Sequence, residues 1–189
     1  MDQFGRKMQQ TGKNLSMKLT APLAALGAVS FNVFKGFEQE MSKVQAVSGA
    51  TAEEFAALSQ NAKDLGASTM FSAREVASLQ TEFAKLGFSA KEITKVTGAT
   101  LALAQASGSD LARSAEVAGS TLRAFGLDAS ETGRVTDVMA KSFSTSALDM
   151  ETFAESMKYV APVAKSAGMS IEETSAMLAV MADAGIKGS

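Results

Sequence analysis

Apolar residues recur at spacings of three and four along most of this chain, the period of one helix face. Phe55, Leu58, Ala62 and Leu65 form one stripe, Val76, Leu79, Phe83 and Leu86 a second, and Ile93, Val96, Thr100 and Leu103 a third. Two more run from Leu111 through Ala115, Ala118 and Leu122 to Phe125, and from Met150 through Phe153, Met157 and Val160 to Ala164. The starts of these helices are marked. A Ser, Thr or Asp three residues before a Glu caps a helix while the Glu reaches back to the cap's own amide. That pattern occurs at Thr51/Glu54, Ser72/Glu75, Ser89/Glu92, Asp128/Glu131 and Ser170/Glu173, and Asp149 is the expected cap of the stripe from Met150. Gly66, Gly87, Gly108, Gly126, Gly168 and Gly185 stand just past stripes, where a left-handed conformation costs glycine little, and are predicted stops. The fold class is therefore all-α.

The N-terminal quarter is patterned differently. Phe4, Met8, Thr11, Leu15 and Leu19, then Leu23, Leu26, Ser30, Phe34, Phe37, Met41 and Val44, keep one seam almost unbroken. The interruption near residues 18–22, where Thr20 could cap a fresh helix with Pro22 in its first turn, leaves open one long amphipathic helix or two. Phe31 and Val33 widen the seam. A helix laid across the core and a helix that docks a partner both fit this width. The candidate association face is Leu23, Leu26, Phe31, Phe34, Phe37, Met41 and Val44, with residues 1–48 as an N-terminal helical segment and 49–189 as a compact domain of short capped helices.

Superimposing the start and stop signals exposes a repeat. AKLGFSAKE at 84–92, RAFGLDASE at 123–131 and KSAGMSIEE at 165–173 align on glycines 87, 126 and 168. A period near forty that holds two helices is that of stacked αα-hairpins, although separately capped helices would converge on the same short pattern. In the repeat reading the pair opening at Ser170 lacks its second helix, so the domain is expected to be truncated at its C-terminal end.

Composition narrows the chemistry. The 189 residues include 34 Ala, 11 Met and 11 Phe, but no Cys and no His. Disulfides, thiolate chemistry and the usual ligands of zinc, copper, haem and iron-sulfur sites are thereby excluded. The net charge is −2, which gives no general attraction to nucleic acid. Its distribution is uneven: residues 1–48 carry six basic and three acidic groups, while 49–189 carry 12 and 17. Residues 19–34 are uncharged but short of the about 20 residues a spanning helix needs; a buried or partner-facing helix, a reversible membrane contact and a true span are the alternatives, in that order.

No phosphate-binding glycine motif, nucleophile elbow or Ser-x-x-Lys dyad occurs. The acidic pairs Glu53/Glu54 and Glu172/Glu173 fall in predicted first turns, where the helix dipole favours negative charge. No catalytic residue, metal site or cofactor is expected, and the chain reads as a non-enzymatic structural or binding protein.

Several longer motifs carry a family resemblance. APLAALG at 21–27, the run F-E-x-x-M-x-x-V-x-A-x-S-G-A-T at 37–51, Y-V-A-P-V-A-x-x-A-G at 159–168 and A-D-A-G-I-K-G-S at 182–189 occur in order. Together they resemble the core region of phage tail tape measure proteins, across residues 20 to 189. The resemblance implies a virion structural protein that sets tail tube length during assembly in the host cytoplasm, lies in the tail lumen or tip, and leaves ahead of the DNA. It implies tail tube and tail-tip partners (baseplate or distal tail proteins), self-association into a homo-oligomer, and no specific nucleic acid. An alternative role is a membrane- or cell-wall-interacting segment assisting genome delivery, with transient membrane contact. The capped short helices suit a compact domain better than an extended ruler.

Overall fold

Four helices begin on the same reciprocal hydrogen bond. In the computed structural model, which describes residues 33–186, Thr51, Ser72, Ser89 and Ser170 each accept from the amide of the Glu three residues on, and each Glu carboxylate accepts from the cap's amide. Helix α1 covers residues 33–48. It is followed by α2 (Ala52–Ser68), α3 (Ala73–Lys85), α4 (Ala90–Ser107), α5 (Leu111–Phe125), α6 (Thr132–Thr145), α7 (Met150–Ser166) and α8 (Ile171–Asp183), with no strand among the described residues. The all-α expectation holds. Asp110 and Asp149 cap α5 and α7 through the amides of Arg113 and Thr152, at 2.9 and 2.7 Å.

The fifth expected box does not form. Asp128 instead accepts from the Ser130 amide and hydroxyl, at 2.9 and 2.6 Å, and heads a short 3-10 turn, Ala129–Glu131. Glu131 turns to Arg134, 2.7 Å away. Gly66 also differs from expectation, because it lies inside α2 and not at its end. A Cβ on Gly66 would stand 2.5 Å from the Ala73 backbone nitrogen, so glycine is required there by the close approach of α2 to the start of α3.

The repeat governs the chain ends of α3, α5 and α7. Gly87, Gly126 and Gly168 adopt φ of 79°, 68° and 76°. The amides of the next residues, Phe88, Leu127 and Met169, reach back to the carbonyls of Phe83, Leu122 and Ala164 at 3.1, 2.8 and 2.9 Å. This paired closure of the last helical turn places an apolar residue directly before the next cap. The Phe88 ring meets Phe83 edge-on at 5.3 Å.

By contacts the chain divides into Met1–Gln39 and Glu40–Ser189. In the second unit α2, α4, α6 and α8 pack in sequence along one layer, and α3, α5 and α7 along another. Contacts between α2 and α3, α3 and α4, α4 and α5, α5 and α6, and α7 and α8 join the two layers, an arrangement of stacked helical hairpins. Between the layers lies a core that includes Leu58, Leu79, Phe83, Ile93, Leu101, Leu122, Met139 and Phe153, all at most 1% exposed. Burial of each such side chain contributes about 1.5–3 kcal/mol. The unit starts within α1: Glu40 at its head is buried and lies 3.8 Å from Arg74 of α3 and 3.0 Å from Lys43.

Candidate interaction surfaces

Successive hairpins are clipped together by charge. Arg113 of α5 donates from Nε to Glu151 of α7 at 2.8 Å and from Nη2 to the same carboxylate, while its Nη1 reaches Glu116 at 2.9 Å. In the other layer Arg134 of α6 donates to Glu172 of α8. Lys95 of α4 stands 3.9 Å from Asp128, and Asp183 of α8 accepts from the Ala147 amide at 2.7 Å. Only the Arg113 guanidinium is substantially shielded, its side chain being 18% exposed; exposed pairs of this kind add little stability.

These contacts also account for one of the two acidic pairs, Glu172/Glu173. Hydrogen bonds from the amide and hydroxyl of Ser170 hold Glu173 below the ordinary carboxylate range, and Arg134 does the same to Glu172. Glu75 and Glu92 are lowered in the same way by Ser72 and Ser89. A carboxyl held ionised is poorly suited to donate a proton near neutral pH. Each member of the Glu172/Glu173 pair therefore has a structural partner. Among the described residues no group of three or more acidic side chains is placed to hold a metal ion.

The association face expected from sequence falls only partly within the described residues. Leu23, Leu26 and Phe31 lie outside the described residues. Phe34 is exposed and Phe37 is buried, whereas Met41 and Val44 are 2% and 0% exposed and belong to the unit that begins at Glu40. A different apolar surface is open. Of the ten large apolar side chains that are exposed among the described residues, six lie on α7, α8 and the turn after them: Tyr159, Val163, Met177, Val180, Met181 and Ile186. Tyr159, Val160, Leu178, Met181 and Ile186 border a groove of about 160 Å³ between the two helices. Sequence reading missed this surface, and the usable signal was Tyr159 and Val163 standing at repeat positions occupied by Val117 and Thr121.

A family model described as phage-related minor tail protein matches residues 59–189. The chain belongs to this family. Its relatives include the "Tape measure protein" of Pneumococcus phage Dp-1, 46% identical over 187 residues, which covers 99% of this chain and 16% of that protein. The "Probable tape measure protein" of Escherichia phage P2 is 33% identical over 196 residues, covering 97% of this chain and 24% of its own length. The chain thus spans between a sixth and a quarter of the length of these relatives. No solved structure matches significantly.

The matched stretch of the minor tail protein family begins inside α2 and takes in α3 through α8, so the family pattern is carried by the hairpin stack. The motif at 159–168 falls on its last hairpin, and the described part of that at 182–189 covers the end of α8 and the turn after it. Gly168 and Gly185 in those motifs both have left-handed backbone, φ 76° and 80°. Among the described residues no helix is long and apolar enough to cross a membrane.

Proposed function

We propose that this chain is a folded domain of a tape measure protein, the tail component that sets tube length during assembly and is released ahead of DNA. The observation that carries this reading is 46% identity, over 99% of the chain, to a protein named as a tape measure protein. Its location is the tail lumen or tip of the virion, after assembly in the host cytoplasm, and its partners are tail tube and tail-tip proteins and further copies of itself. The role is structural.

Within that role the domain is a poor ruler. Residues 40–186 drawn out as one helix would reach roughly 220 Å at ~1.5 Å per residue. Stacked hairpins advance only ~10 Å, one helix-packing distance, for each repeat of some forty residues. The same residue count thus measures several times less length when it is folded this way. Length is set by extended parts of the whole protein, and this domain anchors them or engages the tail tip.

The test is genetic and structural. Particles from the phage or prophage that encodes the chain are purified with the gene intact and with it deleted, and tails are measured by electron microscopy. Tails should be absent or irregular in length without the protein, and an antibody to this chain should mark the intact virion fraction. Tails of unchanged uniform length in its absence would overturn the proposal.

A further inference from the structure

The two layers of the stack allow the same position to be compared in successive hairpins. Aligned on Gly87, Gly126 and Gly168, Ser78 of α3 corresponds to Val117 of α5 and Tyr159 of α7, and Glu82 to Thr121 and Val163. Val117 and Thr121 are both 2% exposed and look across to Ala154, Met157 and Pro162 of α7. Their counterparts Tyr159 and Val163 are 70% and 69% exposed. The other layer behaves alike: Val96, Val135 and Met177 align, as do Thr100, Met139 and Met181. The first two of each set are completely buried, and only the last is open.

The uncovered residues therefore stand at positions that are buried in α4, α5 and α6, the α3 counterparts Ser78 and Glu82 being polar and half-buried. We propose that the outward face of α7 and α8 is a docking platform for a further αα-hairpin of the same pattern, carried by chain that follows Ser189 in the full-length protein. The internal precedent sets the chemistry of the occupant. The elements that cover α5 and α6 present small and flexible apolar residues, Ala154, Met157, Ala176 and Ala179, to the preceding hairpin. The new hairpin should do the same, one helix covering Tyr159 and Val163 and the other Met177 and Met181. A stack unit cannot bury its apolar face alone, and an end repeat normally carries a polar outer surface. The last described hairpin does not. Relatives four to six times longer have ample chain to supply such a cover.

The chain contains no cysteine, so single reporters can be introduced as Val163→Cys, Met181→Cys and, at an exposed site between α2 and α3, Met70→Cys. Maleimide labelling is followed peptide by peptide by mass spectrometry, in residues 1–189 and in the full-length protein, after circular dichroism confirms folding. In 1–189 all three sites should label quickly at every protein concentration. In the full-length protein labelling at 163 and 181 should slow by at least about tenfold, as when reaction must wait for local opening, while position 70 is unchanged. Equal rates in both proteins would overturn the proposal, as would a reading frame that stops at Ser189. Slowing at 163 and 181 within 1–189 as concentration rises would make a second copy the occupant, and would overturn it too.

Discussion

Arg113 and Glu151, 38 residues apart, are joined by two hydrogen bonds from one guanidinium to one carboxylate. Planar two-point pairing of this kind fixes orientation as well as distance, and here it joins the first turn of α5 to the first turn of α7. The Glu151 side chain is 68% exposed, so solvent screens much of the attraction. A double-mutant cycle of Arg113→Ala and Glu151→Ala should give a coupling energy of about 0.5–1 kcal/mol, smaller at 0.5 M salt because screening lengths shrink to a few ångströms. Arg113→Ala alone should cost more than Glu151→Ala, because its partly buried stem also packs. Additive single effects in urea unfolding would show that the pair is incidental.

The capping serines should be separable from a serine inside a helix. Ser89→Ala and Ser170→Ala each remove a hydroxyl that accepts from a Glu amide and donates to its carboxylate, and should each lower stability by about 1 kcal/mol. Ser78 lies mid-helix in α3, where Ala is the better helix former, and Ser78→Ala should be neutral or stabilise by up to about 0.5 kcal/mol. Thermal and urea unfolding of the three variants provide the comparison; equal losses at all three sites would contradict it.

Those serines were legible in the sequence because a capping box is a local device, completed within four residues. Asp128 shows where local reading ends. Its spacing to Glu131 is right, but Arg134 takes the glutamate and the first turn tightens to 3-10. Gly66 shows the same from the other side: a glycine after a stripe reads as a stop, yet its cause is the backbone of Ala73, brought close only by packing. The stack itself was readable in part, since Gly87, Gly126 and Gly168 mark equivalent turns, whereas the pairing of α4 with α6 or α5 with α7 is non-local. Surfaces were the least legible. Val117 and Val163 look alike in a periodicity analysis, and so do Phe34 and Met41, although one member of each pair is buried and the other is exposed.

Glycines inside helices make opposite predictions according to what surrounds them. Gly133, in the first turn of α6, has nothing within 4 Å of an added Cβ, so Gly133→Ala should stabilise by about 0.5–1 kcal/mol through helix propensity and loss of unfolded-state freedom. Gly66→Ala would push a methyl group into the Ala73 backbone, at 2.5 and 2.7 Å from its N and Cα. Overpacking against main chain should cost about 1–3 kcal/mol or more. Melting temperatures that move in the same direction would refute the packing account of Gly66.

Acid should unfold the domain through its caps. Amide and hydroxyl hydrogen bonds from Ser72, Ser89 and Ser170 lower Glu75, Glu92 and Glu173 from the ordinary value of 4.5. The unfolded chain therefore binds protons more readily than the folded one, and stability falls as pH falls. This contribution is fully present above the ordinary glutamate value and is lost as pH drops through the lowered, folded-state values. Urea midpoints should be level from pH 7 to about 5, as all carboxylates of this type are then ionised in both states, and decline below. In Ser89→Ala the decline should be shallower. A midpoint that rises on acidification would reverse the assignment.

Self-association, if it resides in the N-terminal segment, must use residues other than Met41 and Val44. Both are buried in the unit that starts at Glu40, so Met41→Ala should behave as a core truncation and cost about 2–5 kcal/mol. Phe34→Ala, at a side chain 55% exposed, should leave stability within about 0.5 kcal/mol and weaken any association. Cutting the chain at residue 48 would remove core side chains along with the candidate face and confuse unfolding with loss of association. Cutting before Glu40 keeps the unit that starts there, with Met41 and Val44, and removes only Phe37 among the buried side chains of α1. Sedimentation velocity of residues 1–189, its Phe34→Ala variant and residues 40–189 should show concentration-dependent association in the first, less in the second and none in the third. Equal association by 1–189 and 40–189 would move the contact out of the N-terminal segment altogether.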